Sequence, residues 1–219
     1  MSLFTAQAGL SFPASLSEKY RPHSLQDFVG LEKPRKVLAK FAENPFPNAA
    51  FLFVGPSGTG KTSMALALCK AIHGELHHIP SQQANVSTIE EVTRMCWYIP
   101  RNGQKSLHVV LIDEIDAASK AAHLALLSKT DGTAFPPSTV FVATCNSTEN
   151  LEPRFLSRFM QLQFSSHGMA KEAASLLERI WIAEAGQTSE QPNFLRMVQD
   201  SKNNVRDAVN SLQVELLAL

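Results

Sequence analysis

The stretch FLFVGPSGTGKT, residues 51–62, sets an apolar run directly ahead of three glycines, a lysine and a threonine. Glycine weakens strands and helices alike, so such a cluster at the edge of a buried strand answers to something other than folding. A strand, then G-x-x-x-x-G-K-T, then a helix is the context in which successive backbone N–H groups wrap a phosphate chain, with the helix N-terminus adding its partial positive charge. Side chains at Gly55, Gly58 and Gly60 would block that approach. Lys61 is placed to reach the outer phosphates and Thr62 to ligate Mg²⁺, while Pro56, Ser57, Thr59 and Ser63 complete the loop. The plain alternative is a glycine-rich turn that happens to precede a helix; strand, full motif and helix in order weigh against it.

Three more apolar runs lie downstream: LHHI from Leu76, LHVVLI from Leu107 and TVFVAT from Thr139. Continuous hydrophobicity suits strands covered on both faces, and a fifth run, QLQF from Gln161, alternates as an edge strand does. Helical patterns fill the gaps after Lys61, after Ser87 and between about Ser119 and Ser128. Ser87 and Glu90 have the spacing of a capping box. An α/β fold follows, a parallel five-stranded sheet with helical crossovers. After Phe164 the strands stop, and three helices are predicted, over about Ala170 to Ala185 with Gly186 ending it, Pro192 to Ser201, and Asn204 to Leu217. In the last, Val205, Ala208, Val209, Leu212 and Leu216 repeat at helical spacing, so one face must pack. A boundary near Ser166 divides an α/β domain, 1–165, from a small helical domain, 166–219.

VVLIDEID, residues 109–116, supplies the second half of a phosphate site. A carboxylate at the end of a buried strand, Asp113, can hold Mg²⁺, and Glu114 beside it can polarise an attacking water. FVATCN ends the next strand with Asn146. Ligands gather at the carboxyl ends of parallel strands, so Asn146 is expected in the same crevice, orienting the water or touching the outer phosphate; starting a turn is its other common use. Arg158, in FLSRF, and Arg206, in NNVRDAVN, are available for charge stabilisation, and spacing alone leaves both as ordinary surface arginines.

The chain has 219 residues, and its 20 basic side chains balance 20 acidic ones. A domain of this size buries roughly 70% of its unfolded surface and needs no staples. Neutrality gives no global attraction to nucleic acid, so any such contact requires a local basic face. Cys69, Cys96 and Cys145 fit neither a disulfide framework nor a zinc spacing and read as buried apolar residues in a reducing compartment. Neither a signal peptide nor a membrane span is legible, so the expectation is a cytoplasmic protein, nuclear in a eukaryote, with no membrane partner.

Taken together these motifs resemble the AAA+ ATPases, in particular the small subunits of replication factor C and related clamp loaders. EKYRPHSLQDFVG from Glu18 is similar to the segment with which that family embraces adenine, which implies Tyr20, Arg21, Pro22 and Val29 as base contacts. GPSGTGKT and LIDEID match its Walker motifs, and TCN matches sensor 1 at Asn146. LSRF resembles the Ser-Arg-Cys motif at Arg158, and NNVRDAVNSLQ resembles sensor 2 at Arg206. The resemblance implies ATP and Mg²⁺ bound between the sheet and a three-helix lid, and an assembly of identical or different AAA+ subunits in which Arg158 completes a neighbour's site. It further implies DNA and a sliding clamp as partners. A nucleotide-dependent scaffold with little turnover, or a recombination or fork-remodelling ATPase, is the alternative.

Departures accompany the resemblance. Phe159 replaces the family's cysteine. His123, Leu124, Leu127 and Ser128 stand where clamp-loader subunits tend to carry polar residues that couple DNA contact to the catalytic glutamate. The family's C-terminal collar would begin past Leu219, which leaves either a truncated chain or a short relative. Of the seven histidines, His77 and His78 are adjacent and point to opposite faces of a strand, and no cysteine or carboxylate lies at ligand spacing, so no histidine metal site is expected. Trp97 and Tyr98 read as core or interface aromatics, and Arg94, Arg101 and Lys105 around PRNGQ as a solvated face or a DNA contact.

Overall fold

In the computed structural model, which describes residues 14–100, 107–186 and 191–218, the run ahead of the glycine-rich loop forms β1 (Ala49–Val54), buried at every position. It is followed by β2 (Glu75–Ile79), β3 (His108–Ile112), β4 (Thr139–Cys145) and β5 (Met160–Gln163). All pair in parallel, in the order β2-β3-β4-β1-β5. The central strands β1, β3 and β4 are buried throughout, as their unbroken apolar runs require. The edges differ: β5 exposes all but Leu162, and β2 alternates, leaving Leu76 and His78 exposed. The expectation that β2 is covered on both faces is therefore corrected, because it lies at the sheet margin with a neighbour on one side only.

Among the described residues the helices are α1 (Leu16–Lys19), α2 (Glu32–Glu43), α3 (Lys61–Ala71), α4 (Val86–Met95), α5 (Lys120–Lys129), α6 (Pro153–Leu156), α7 (Ala170–Ala185), α8 (Phe194–Asp200) and α9 (Val205–Leu217). The cap of α4 is a second correction. Asn85 Oδ1, not the Ser87 hydroxyl, accepts from the Thr88 amide at 3.0 Å, and the helix starts at Val86. Asn caps as well as Ser does and comes first along the chain. Trp97 and Tyr98, 55% and 72% exposed, are not core residues. Arg94 is exposed; Arg101 and Lys105 lie outside the described residues.

Three apolar clusters hold the elements together. On one face of the sheet Phe51, Phe53 and Leu111 pack with Leu38, Met64 and Leu68 from α2 and α3. On the other, Leu52, Val110 and Phe141 meet Ile89, Leu126 and Phe155. The third gathers Leu177 and Trp181 of α7, Val198 of α8, and Ala208 and Leu212 of α9, with Leu16 of α1. Each large side chain so buried stabilises by about 1.5–3 kcal/mol. Among the described residues no helix is long and apolar enough to cross a membrane.

The strand order positions the chemistry. β4 lies between β1 and β3, and the pairings Val54↔Cys145 and Ile112↔Ala143 bring the carboxyl ends of all three nearly level. The glycine-rich loop, Asp113 and Asn146 thus emerge side by side, as the crevice rule for open α/β sheets predicts.

Candidate nucleotide-binding site

The loop after β1 enters α3 through two glycines with positive φ, Gly58 at 75° and Gly60 at 89°. A side chain there is strained by roughly 1–2 kcal/mol and lacks room. A Cβ on Gly58 would lie 1.9 Å from Asn204 Oδ1, and one on Gly60 3.2 Å from the Phe28 ring. Gly55 is explained differently from the phosphate-clearance reading: a Cβ there would sit 2.0 Å from the Phe164 carbonyl oxygen, so packing against the end of β5 already demands glycine.

Lys61 opens α3 and is buried. Its Nζ donates to the carbonyls of Gly55 at 2.6 Å and Pro56 at 2.9 Å, and to Asn146 Oδ1 at 3.0 Å. Burial pushes its pKa below the ordinary lysine value, opposed by the nearby acids Asp116 and Glu114. The ammonium is folded back on the loop, and its direct hydrogen-bond partners are all neutral acceptors that a phosphate oxygen could replace. Thr59 Oγ1 closes the turn onto the Pro56 carbonyl at 2.8 Å.

Asp113 is the hub of the opposite wall. Its Oδ1 accepts from Thr62 Oγ1 at 2.8 Å and from Thr144 Oγ1 at 3.0 Å, and its Oδ2 lies 2.7 Å from His78 Nε2. Glu114 has left-handed backbone, φ 51°, a conformation costing a non-glycine residue about 1 kcal/mol; the Thr144 hydroxyl holds it by accepting from the Glu114 amide at 3.0 Å. Asp116 Oδ2 accepts from the Asn146 amide at 3.0 Å, which fixes the turn after β4. One cavity of about 260 Å³ is lined by Ser57, Lys61, Thr62, Asp113, Glu114 and Asn146, together with Arg206.

A second cleft of about 740 Å³ adjoins it and shares Gly58, Gly60, Ser63 and Arg206. Tyr20, Arg21, Pro22 and Val29 line one side, and Met169, Arg179 and Val205 of the helical part the other. Arg21 Nε donates to Ser63 Oγ at 3.1 Å, tying this strap to α3. The strap is also tied to the helices: the Tyr20 hydroxyl and Lys19 Nζ both donate to Glu184 Oε1, the latter at 2.7 Å, and the Gly30 amide donates to Glu172 Oε2 at 2.7 Å. Arg158 lines neither cavity; it is exposed, with Nη2 3.2 Å from Asp131 Oδ2.

The sequence reading missed Phe28, Thr144, Asp116 and His78 here. Thr144 and His78 reach Asp113 from neighbouring strands, a contact visible only once the sheet order is known. Phe28, inside the strap, could have been found as the apolar residue before Val29. At α5, His123 is buried and its Nε2 lies 2.6 Å from the Ile115 carbonyl oxygen, one residue beyond Glu114.

The donor set answers what the site could hold. Glycines without room for side chains, a buried lysine at a helix N-terminus and a 740 Å³ neighbouring cleft fit a nucleoside triphosphate. A hydroxyl and a carboxylate 2.8 Å apart are hard oxygen ligands of the kind Mg²⁺ takes. These features define a phosphate-loop nucleotide-binding protein.

The chain belongs to the AAA family: the model of the "ATPase family associated with various cellular activities (AAA)" matches residues 51–166, more than half of its length. It is similar to a replication factor C small subunit of Methanosphaera stadtmanae, 29% identical over 209 residues, covering 90% of this chain and 61% of that protein. Replication factor C small subunit 2 of Pyrobaculum aerophilum is 29% identical over 205 residues, covering 90% and 62%. The chain thus spans about three-fifths of the length of these relatives. Among solved structures, the Thermotoga maritima Holliday junction branch migration motor RuvB has the same fold, with a TM-score of 0.72 at 20% identity over 89% of this chain and 64% of that one.

Proposed function

We propose that the chain is an ATP-binding and ATP-hydrolysing subunit of clamp-loader type that works in a multimer on DNA and a sliding clamp. The observation that supports this most is the convergence of Lys61, Thr62, Asp113, Glu114 and Asn146 on one cavity. Similarity to replication factor C small subunits supports the assembly and the partners. In this reading residues 1–165 form the nucleotide-binding domain and 166–219 its lid, and a role on DNA puts the protein in the cytoplasm, or in the nucleus of a eukaryote.

ATP lies across both cavities, its adenine against Tyr20, Arg21, Pro22 and Val29 and its phosphates in the loop formed by Gly55, Pro56, Ser57, Gly58, Thr59 and Gly60. Lys61 exchanges its carbonyl partners for phosphate oxygens. Thr62 and Asp113 hold the Mg²⁺, with Ser63 behind them. Mg²⁺ held by these two residues would supply positive charge to the phosphate oxygens. Glu114 orients a water for in-line attack and accepts its proton, Asn146 fixes that water, and ADP and phosphate leave. Arg206 reaches the nucleotide from the lid. Arg158, outside its own site, completes the site of a neighbouring subunit.

Steady-state hydrolysis followed against protein concentration, with and without primed DNA, tests the proposal. Specific activity should climb with concentration and collapse in Glu114→Gln. Flat, negligible turnover beside saturable ATP binding would leave a nucleotide-dependent scaffold instead.

A further inference from the structure

At the opposite end of the sheet from the phosphate loop, His77, Cys96 and His108 each offer a ligand atom, all within 4.8 Å of one another. His77 lies on β2 and His108 on β3; Glu75 is the register partner of His108, so Glu75, His77 and His108 share one face of the sheet. Cys96 ends α4, which packs against β2 on that face. The three are far apart in sequence, which is why spacing gave no sign of them.

The hydrogen bonding fixes the chemistry of the cluster. His108 Nε2 lies 2.8 Å from the Tyr98 carbonyl oxygen. A carbonyl only accepts, so Nε2 carries the proton and Nδ1 of the neutral ring presents its lone pair. That Nδ1 accepts from His77 Nε2 at 2.9 Å, a hydrogen bond that a metal ion between the two rings would replace. A ring nitrogen aimed into a cluster while its partner N–H donates to a backbone carbonyl is how metal-binding histidines are oriented. Cys96 is fully buried, and burial pushes its thiol pKa up to about 12; a bound cation reverses that preference, since a coordinating thiol is deprotonated outright.

We propose that His77, Cys96 and His108 form a zinc site with a fourth, water-filled position. Two imidazoles and a thiolate are a borderline-soft set suited to Zn²⁺. Bonds of about 2.0–2.1 Å at tetrahedral angles separate two nitrogens by about 3.3 Å, so the imidazoles need part only slightly. Half-buried His77 on an edge strand provides the entry path. The ion clasps the end of α4 and edge strand β2 to β3. None of the three ligands lines either nucleotide cavity.

The test uses the whole chain, treated with chelator and free of nucleotide, titrated with CoCl₂. A thiolate-to-cobalt charge-transfer band and intense tetrahedral d–d bands should saturate at one ion per chain and vanish on adding equimolar Zn²⁺. Cys96→Ser should abolish the charge-transfer band. His77→Gln should weaken binding by about 10-fold or more, with metal-free circular dichroism and thermal midpoint matching the parent. If Cys96→Ser does not fold, His77→Gln decides alone. No charge-transfer band in the parent, weak octahedral bands only, or equal affinity in His77→Gln would overturn the proposal.

Discussion

The Thr62 hydroxyl donates to Asp113 Oδ1 across 2.8 Å, joining the first turn of α3 to the end of β3. Thr144 and His78 hold the same carboxylate at 3.0 Å and 2.7 Å, so both ligands are oriented before a cation arrives. If they bind Mg²⁺ together, Asp113→Ala removes the metal dependence of ATP affinity. Affinity measured with magnesium should fall by about 10- to 100-fold, the scale of a lost charged contact, to the value seen in chelator. An undiminished magnesium effect would take Asp113 out of the metal site.

Glu114 contributes nothing to loop geometry that glutamine could not, because its backbone is held by the Thr144 hydroxyl. Glu114→Gln should therefore bind ATP as the parent does and hydrolyse it about 10²–10⁴-fold more slowly, as loss of a general base predicts. Single-turnover kinetics separate the two effects.

Arg158 bonds Asp131 at 3.2 Å and lines neither cavity, so its own subunit's nucleotide should not feel its loss. Arg158→Ala is expected to leave ATP affinity intact while lowering turnover by about 10³–10⁵-fold at assembling concentrations. Unchanged turnover there would refute action in trans.

Gly58 tests how the lid meets the loop. Gly58→Ala forces a Cβ to 1.9 Å from Asn204 Oδ1 and strains a φ of 75°, so it should destabilise by about 1–2 kcal/mol and weaken nucleotide binding. Asn204→Ala alone should cost about 1 kcal/mol as a lost cap of α9. The double variant should be more stable than the sum of the two, as thermal denaturation would reveal.

The Tyr20–Glu184 contact makes a pH prediction. Lys19 and Tyr20 hold the Glu184 carboxyl below its ordinary range, so its contribution is present above about pH 4.5 and lost as pH falls through the depressed value. Burial and Glu184 push the Tyr20 phenol up to about 12, so its contribution is intact below about pH 10 and lost as pH rises toward that value. The thermal midpoint should be insensitive to this pair between those limits, and Glu184→Gln should flatten the acid limb.

The phosphate loop and the central strands were legible because both follow local rules: continuous burial writes continuous apolar runs, and a close backbone approach writes glycine. Asp113 and Asn146 followed from strand ends alone. What escaped depends on neighbours distant in sequence. His78 and Thr144 meet Asp113 through the sheet order, and His77, Cys96 and His108 meet through pairing of β2 with β3 and the packing of α4. Helix α2 escaped because half of EKPRKVLAKFAE is charged, with Pro34 in its first turn, where proline is tolerated. Gly55 was assigned to phosphate clearance, yet the Phe164 carbonyl already excludes a side chain there.

Calorimetric titration of the chain with ATP in magnesium addresses the central claim most directly. The account predicts saturable heat at one nucleotide per chain, abolished by Lys61→Ala with the fold intact. Absence of heat from the parent, or equal heat from Lys61→Ala, would contradict it.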